Sequence, residues 1–317
     1  MLGDLLKEFG LEGNQIVSEI AGGNSDVYQI HTPNNGDFGI KVYRGLEERV
    51  LRMYERESSS LDFLGQKGFT SSPRFVAGSK DKGAICYTWI EGKSPESNLD
   101  TLNAIFYAMN ELLSIYQVDS NFDKAIDAVL SGIDVLDQVS FRIVQLKKSG
   151  LVPRDLLIGL ESARLGLIQT ALSQERFSHK TYSFSDFGTH NMIMNKSGKF
   201  YFIDLEFFGI DSFAKFFTDL ICHPRTEFSS LDIVRHLENW PSYSRDFERQ
   251  LRLLLPAIAL KWSVITSRRK YLEPSLSSNS ESPEVYLEYF GFLSKLESIE
   301  GVQTFKEFIR MRDLRHE

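Results

Sequence analysis

The chain has 317 residues, enough for two domains or two lobes that share a cleft, with the 42% hydrophobic and 25% charged residues of an ordinary globular protein. Its formal net charge of −7 argues against a general nucleic-acid binder, which needs a basic surface. Both cysteines, Cys86 and Cys222, lie in apolar runs, so we expect buried thiols rather than a disulfide or a zinc site. We find neither the pattern of a signal peptide nor an apolar stretch of about 20 residues, and therefore expect a cytoplasmic protein with no membrane partner.

The first part of the chain, residues 1–91, is predicted to be mostly strand with one inserted helix. Three short apolar runs separated by turn residues indicate a strand meander, over residues 16–21, 27–31 and 38–43. Apolar residues at helical spacing then predict a helix over 46–64. Two further strands are predicted, over residues 75–77 and 84–90. Gly92 and Pro95 break this pattern, so we place a lobe boundary after residue 91.

Two charged side chains in this first part require a partner. Lys41 alternates with Ile40 and Val42 along its strand, so it lies on the opposite face of the sheet. Glu57 lies on the otherwise apolar stripe of the helix, where a carboxylate needs a counter-charge. An ion pair between Lys41 and Glu57 explains both residues. A solvated Lys41 is the alternative interpretation, and Glu55 is the alternative partner.

The rest of the chain, residues 92–317, is predicted to form a larger helical lobe. Apolar stripes at helical spacing run from Leu99 to Phe177, and helical patterns return after Ser212. Between them, residues 183–204 read as loop and strand. We therefore predict an α+β fold, in which a small antiparallel β lobe precedes a large helical lobe with an embedded β-hairpin.

This hairpin is the most informative stretch of the sequence. Met192–Met194 and Phe200–Ile203 are apolar runs around a tight turn, whose central residues are predicted to be Ser197-Gly198. In that register Asn191 lies directly opposite Asp204, which brings an amide oxygen and a carboxylate to the open end of the hairpin. Oxygen ligands of this kind suit Mg²⁺.

Asp186 lies five residues before Asn191, in a loop that contains Gly188. A second carboxylate at this place can accept a proton from a hydroxyl nucleophile. The alternative is a surface hairpin in which these polar side chains only shape turns.

The stretch resembles two motifs of the aminoglycoside phosphotransferase and choline kinase superfamily, which is related to the protein kinases. Phe184-Ser185-Asp186 with Asn191 resembles the catalytic loop, which reads His-Gly-Asp, four residues, then Asn. Ile203-Asp204-Leu205-Glu206 resembles the metal motif, which reads Ile-Asp-Trp/Phe-Glu. The sequence departs from these patterns at three positions, Phe184, Ser185 and Leu205. The resemblance implies a protein-kinase-like two-lobed fold, with Asp186 as catalytic base and with Asn191 and Asp204 as metal ligands.

Asp186-Phe187-Gly188 also spells the metal-binding motif of the protein kinases themselves. That alternative needs a catalytic Asp and an Asn a short distance upstream, and residues 165–174 contain neither. The assignment with Asp186 as base and Asp204 as metal ligand leaves no position of the motifs empty, and we prefer it.

Other segments resemble the same superfamily. Gly22-Gly23-Asn24-Ser25, between two predicted strands, resembles its glycine-rich nucleotide loop, and Arg56-Glu57 resembles the pattern around its pairing glutamate. The resemblance implies that the pair with Glu57 orients Lys41 toward the phosphates of a nucleotide. Cys86–Gly92 resembles the hinge between the lobes. The backbone groups that this implies for adenine binding are those of Thr88, Trp89 and Ile90. No Walker A motif is present in the sequence, so a P-loop enzyme is not expected.

The sequence says less about the residues that would bind the molecule to be phosphorylated, here called the acceptor. Asp219, followed by Leu220, resembles the aspartate that braces the catalytic loop in the superfamily, at a longer spacing from the metal motif. Histidines and aromatic residues in the helical lobe are candidates for an acceptor pocket, although most such residues are ordinary core residues. These candidates are His190, His223, Trp240, Tyr243 and Trp262.

Taken together, these residues predict a kinase that uses ATP or GTP with Mg²⁺. We expect a small hydroxyl compound as acceptor: a sugar or polyol, an amino alcohol or an aminoglycoside-like molecule. A kinase-fold regulatory module that binds a nucleotide without turnover is the alternative. A protein kinase is disfavoured, because an Ala-Pro-Glu element and a long activation segment after Asp204 are absent from the sequence.

Overall fold

The computed structural model describes residues 1–21, 24–33, 36–223, 228–240, 243–273 and 282–296. Gly22 and Gly23, predicted to contact a nucleotide, lie outside the described residues. Among the described residues, no helix is both long and apolar enough to cross a membrane.

Five antiparallel strands near the N-terminus form one sheet in the order β1-β2-β3-β5-β4. Their bounds are β1 Gln15–Ala21, β2 Ser25–Thr32, β3 Gly36–Tyr43, β4 Phe75–Ser79 and β5 Ala84–Thr88. A short helix α1, Leu2–Glu8, precedes the sheet, and helix α2, Glu47–Gln66, connects β3 to β4. The sequence predicted the five strands and α2 within a few residues, whereas the seven-residue α1 was not predicted.

The rest of the described chain is mainly helical. Its helices are α3 Leu99–Val118, α4 Gly132–Ser149, α5 Arg154–Ile168, α6 Phe213–Cys222, α7 Ser230–Glu238, α8 Arg245–Leu272 and α9 Pro283–Leu296. Side chains define several helix starts: Asn98 caps α3 by accepting from the Thr101 amide, and Ser131 and Asp134 form a capping box on α4. The described elements agree with the predicted α+β arrangement, while the boundary after residue 91 stays a prediction.

Four short strands lie among these helices. They are β7 Lys180–Ser183, β8 Met192–Asn195, β9 Phe200–Phe202 and β10 Gly209–Ser212. β8 and β9 form the predicted hairpin, and β10 pairs with β7. A two-residue strand β6, Gly92–Lys93, pairs with β8 and so joins the segment after the N-terminal sheet to the hairpin. Gly92 is needed for this approach, because a Cβ there would lie 2.4 Å from the Met194 carbonyl oxygen.

The predicted register of the hairpin is wrong by one residue. Met192 pairs with Phe202, and Asn191 therefore lies opposite Ile203, whose amide donates to the Asn191 carbonyl at 2.9 Å. The reason is the turn, which has three residues rather than two. Gly198 adopts φ 80° at its end, the left-handed conformation that closes a three-residue hairpin loop. Asp204 consequently lies just beyond the paired residues instead of opposite Asn191.

Gly132, the first residue of α4, packs against backbone. A Cβ on Gly132 would lie 1.7 Å from the Leu172 carbonyl oxygen, so a side chain there forces the backbone apart. We expect Gly132→Ala to lower the free energy of unfolding by about 1–3 kcal/mol, measured by urea denaturation.

Gly166, inside α5, provides the matched control, because nothing lies within 4 Å of a Cβ built there. Alanine is the better helix former, so Gly166→Ala should leave the stability unchanged or raise it by up to about 1 kcal/mol. Equal effects of the two substitutions would contradict the packing described for Gly132.

Candidate functional site

A buried lysine lies at the centre of the site. The Lys41 ammonium nitrogen lies 2.6 Å from Glu57 Oε2 and 2.5 Å from Asp204 Oδ1. Lys41 is 6% exposed and Glu57 3%, so neither charge is solvated. Glu55, the alternative partner, instead pairs with Lys80 on the surface at 2.8 Å. One side chain of the N-terminal sheet thereby joins α2 to the residue that follows the hairpin.

Further hydrogen bonds hold Glu57 in place. The Tyr43 hydroxyl donates to Glu57 Oε2 at 2.5 Å, and the Leu205 amide donates to Oε1 at 3.3 Å. Burial alone would lower the pKa of Lys41, but the carboxylates of Asp204 and Glu57 outweigh it and hold that pKa well above its ordinary value. Lys41 is therefore a fixed positive charge at this site.

Three carboxylates lie close enough together to share a cation. Oxygens of Glu57, Asp204 and Glu206 lie within 4.8 Å of one another. Burial, and then the neighbouring Asp204, raise the pKa of Glu206 to about 7. Such a set of hard oxygen donors fits Mg²⁺. The sequence motif contained Glu206, but sequence reasoning gave it no role. Its place in the carboxylate cluster becomes visible only in the structure, where it lies beside Asp204.

Asn24 connects the glycine-rich loop to these carboxylates. Its side-chain amide donates to Glu206 at 3.5 Å and accepts from the Arg49 guanidinium at 2.6 Å. Ser25, the next predicted nucleotide contact, is buried and pairs with Tyr43 within the sheet. The end of this loop is therefore in contact with the carboxylate cluster, through Asn24 and Glu206.

Asp186 lies in the loop before the hairpin, beside two imidazoles. Its Oδ1 accepts from the Gly188 amide at 3.2 Å and lies 3.0 Å from His223 Nε2. Burial alone would raise the pKa of the Asp186 carboxyl, but the hydrogen bond and charge of His223 outweigh it and hold that pKa well below its usual range. The side chain of Asn191 is buried next to this loop, with its amide nitrogen 3.5 Å from the Asp186 carbonyl oxygen. Asp186 is therefore a carboxylate at neutral pH.

A buried network of charges supports the loop from below. Ser185 adopts φ 62°, an unfavourable conformation for a residue other than glycine. Its hydroxyl donates to Asp211 at 3.1 Å, and the Lys215 ammonium donates to its carbonyl at 3.4 Å. Lys215 in turn contacts Asp211 at 3.2 Å and Asp219 at 2.6 Å. Asp219 thus reaches the loop through Lys215, which sequence reasoning missed because this lysine lies in a run of phenylalanines.

The departure from the family pattern at Phe184 has a packing reason. Phe184 is buried, and its ring stacks on Phe202 of the hairpin with centroids 4.4 Å apart. Phe69 and Phe187 contact the same ring at 5.9 and 6.0 Å. The loop before Asp186 is therefore held by aromatic packing at this position.

The aromatic candidates for an acceptor pocket are separated by the structure. Trp240 is a core residue that packs against Phe213 at 4.4 Å, and Tyr243 donates to Glu248 at 2.9 Å. Trp262 contacts the His223 ring edge-on at 4.7 Å. Through His223, Trp262 is connected to Asp186.

The predicted hinge follows β5 directly. The Thr88 amide donates to the Arg74 carbonyl at 3.0 Å, and the Trp89 amide donates to the Asp37 carbonyl at 2.9 Å. Both amides are therefore engaged within the protein. Adenine contacts of the kind that the resemblance implies would therefore have to come from other backbone groups of residues 88–90.

The chain matches known proteins both in sequence family and in fold, and the superposed structures confirm the predicted protein-kinase-like fold. The model of the family described as "Phosphotransferase enzyme family" matches residues 16–244. No curated protein matches the chain in sequence. Choline kinase from Cryptosporidium parvum Iowa II superposes with a TM-score of 0.68 at 11% identity, over 97% of this chain and 98% of that one. Choline kinase LicA from Streptococcus pneumoniae gives 0.62 at 15% identity, over 93% and 99%. The streptomycin-ATP-APH(2")-IIa ternary complex gives 0.60 at 18% identity, over 88% and 95%.

The charge of Lys215 is required by its two buried partners. Lys215→Met would remove the cation that contacts both Asp211 and Asp219, which are less than 5% exposed. Breaking a buried pair in this way costs about 3–5 kcal/mol, and we expect that loss in urea denaturation.

Lys80→Met serves as the control, because the Lys80–Glu55 pair is more than half exposed on both sides. It should cost less than about 1 kcal/mol. If the Lys215→Met protein were as stable as the Lys80→Met protein, the charge of Lys215 would not be required by Asp211 and Asp219.

Proposed function

Because the chain belongs to the phosphotransferase enzyme family, as its motifs predicted, we propose that it is a Mg²⁺-dependent kinase of a small hydroxyl compound. The observation that carries this proposal is that the buried Lys41 lies 2.6 Å from the buried Glu57 and 2.5 Å from the partly exposed Asp204. An ion pair that joins a strand lysine to a helix glutamate, next to a metal-binding aspartate, is the arrangement that kinases use to position ATP.

The nucleotide would bind between residues 1–91 and the rest of the chain. Lys41 would contact the α- and β-phosphates, while Asn24 and the glycine-rich loop would cover them. Backbone groups of residues 88–90 would bind the base. Backbone contacts of this kind are compatible with ATP and with GTP.

The carboxylate set would hold the metal ion. Asp204 and Asn191 are the ligands that the family motif implies, and Glu206 is a further oxygen donor within the same cluster. A bound Mg²⁺ neutralises phosphate charge during phosphoryl transfer. Lys41 shares this task as a fixed cation, because its ammonium group already contacts Asp204.

Asp186 would act as the base. Its carboxylate is ionised at neutral pH and partly exposed, so it can accept the proton of an acceptor hydroxyl. His190, the residue before Asn191, lies on the same side of the loop with its Nε2 atom 3.8 Å from Asp186 Oδ2. An acceptor that reaches Asp186 would therefore also meet an imidazole.

The acceptor would be a small polar molecule with a hydroxyl group. The structural relatives include choline kinases and kinases solved with streptomycin, gentamicin and spectinomycin. The short connection between Asp204 and α6 leaves little surface on which a peptide could lie. Among small acceptors we favour a sugar-like one, and we propose amino alcohols and aminoglycosides as the other classes to test.

Glu57 and Glu55 offer a matched test of the nucleotide site, because they lie on the same helix and only Glu57 contacts Lys41. Glu57→Gln removes a charge-assisted hydrogen bond of about 1.5–3 kcal/mol, so we expect Mg²⁺–ATP affinity to fall about tenfold or more. Glu55→Gln should bind as wild type. Calorimetric titration measures both, and wild type should also melt at a higher temperature with Mg²⁺–ATP than with ATP and EDTA.

The absence of any thermal shift at millimolar ATP or GTP would contradict the nucleotide site. Equal affinities of the two glutamine variants would show that the Lys41–Glu57 pair has only a structural role.

Substitution of Asp186 separates an enzyme from a binding module. Asp186→Asn should reduce phosphoryl transfer about 10²–10⁴-fold and leave nucleotide affinity within a few-fold, because a base acts mainly in the transition state. The measurement is ATP consumption with a panel of sugars, polyols, amino alcohols and aminoglycosides. Asp62→Asn, an exposed carboxylate on α2, is the control and should transfer as wild type.

Asp204→Ala should abolish both the transfer and the thermal shift that depends on Mg²⁺. Binding of Mg²⁺–ATP without turnover of any acceptor in the panel would favour the regulatory module. An Asp186→Asn protein as active as wild type would show that the base is a different residue.

A further inference from the structure

The two oxygens of the Asp186 carboxylate have different surroundings. Oδ1 accepts from the Gly188 amide at 3.2 Å and lies 3.0 Å from His223 Nε2. The ion-pairing group nearest to Oδ2, among the described residues, is His190 at 3.8 Å, beyond hydrogen-bond distance. The structure thus fixes one oxygen and leaves the other able to accept.

His223 is itself held rigidly. Its amide donates to the Asp219 carbonyl at 2.7 Å, which makes it the C-terminal cap of α6. Its side chain is 3% exposed and packs edge-on against Trp262, with ring centroids 4.7 Å apart. A donor fixed by backbone and packing in this way can fix the orientation of its acceptor.

Gly188 shows how closely the imidazoles pack on this loop. A Cβ there would lie 2.2 Å from ring atoms of His190 and 2.8 Å from Cε1 of His223. A residue with a side chain would therefore displace one ring or both. The absence of a side chain at position 188 lets His223 approach the Asp186 carboxylate.

Helix α6 contacts the loop at two points. Lys215 donates to the Ser185 carbonyl, and His223, eight residues later and about 12 Å along the axis, contacts the next residue of the loop. One residue lies in this buried helix and the other caps its C-terminus, so the backbone of the loop and its carboxylate share a single support.

We propose that His223 is a positioning residue, which fixes Asp186 Oδ1 so that Oδ2 faces the acceptor hydroxyl. This inference rests on the proposed function. In the reaction, the O–H bond of the acceptor breaks and its proton passes to Oδ2. The oxygen of the acceptor forms a bond to the γ-phosphorus, and the bond between that phosphorus and the bridging oxygen of the nucleoside diphosphate breaks, with its electron pair leaving on the diphosphate.

Two substitutions of His223 separate positioning from packing. His223→Phe keeps a ring against Trp262 and removes the N–H donor, whereas glutamine can place an amide N–H near the position of Nε2. A misplaced carboxylate should lower kcat about 100-fold in His223→Phe with the KM for ATP unchanged. His223→Gln should recover at least about a tenth of the wild-type kcat. His236→Phe is the control on α7, where the imidazole stacks on Phe106 at 4.2 Å, and it should leave kcat unchanged.

Several results would overturn the assignment: an unchanged kcat in His223→Phe, an equal loss in both His223 variants, or a change confined to the KM for ATP. His223→Leu replaces the phenylalanine variant if melting shows that the latter does not fold. If wild type transfers phosphate to no acceptor, the proposed function fails, and crystal structures of wild type and His223→Phe decide the positioning role. A rotated Asp186 carboxylate in the variant would support it, and an unmoved one would refute it.

Discussion

The buried ammonium group of Lys41 is the interaction on which the arrangement of the site depends. Its strand belongs to the N-terminal sheet, Glu57 to α2, and Asp204 to the segment after the hairpin, so three separate elements meet at one charge. Removing one partner from a buried ion pair leaves an uncompensated charge and is strongly unfavourable. Hydrogen bonds from the Tyr43 hydroxyl and the Leu205 amide hold the Glu57 carboxylate in place. The buried carboxylate of Glu57 needs a positive charge, and Lys41 supplies it. The same ammonium group thereby lies beside the cluster of Glu57, Asp204 and Glu206.

A second network, centred on α6, holds the loop that carries Asp186. The described chain has two non-glycine residues with positive φ, Ser185 and Asp204, both at 62°. Conformations of this kind cost about 1–3 kcal/mol each and persist where the surroundings enforce them. Lys215 and Asp211 bind Ser185, and Lys41 binds Asp204. The strained residues thus lie directly before the proposed base and at the proposed metal ligand, where the buried charges fix them.

The likeness to the superposed kinases lies in the fold more than in the sequence. The superposed kinases share only 11–18% of their residues with this chain, yet cover nearly all of it. The departure at Phe184 is explained by its aromatic packing against Phe202, and Leu205 is buried while its backbone amide binds Glu57.

The sequence by itself determined most of the elements of the N-terminal sheet, the hairpin, and the residues whose burial demands a partner. Helical and strand periodicity located the sheet, α2 and the hairpin, and a carboxylate on an apolar stripe identified Glu57. Only the tertiary structure decided the hairpin register, because a three-residue loop ending at Gly198 reads in sequence much like a two-residue turn. It also decided that Lys215 links Asp219 to the loop, and that His223, 37 residues after Asp186, contacts its carboxylate. Local patterns report which face of an element is buried, whereas contacts between distant residues depend on how the elements pack.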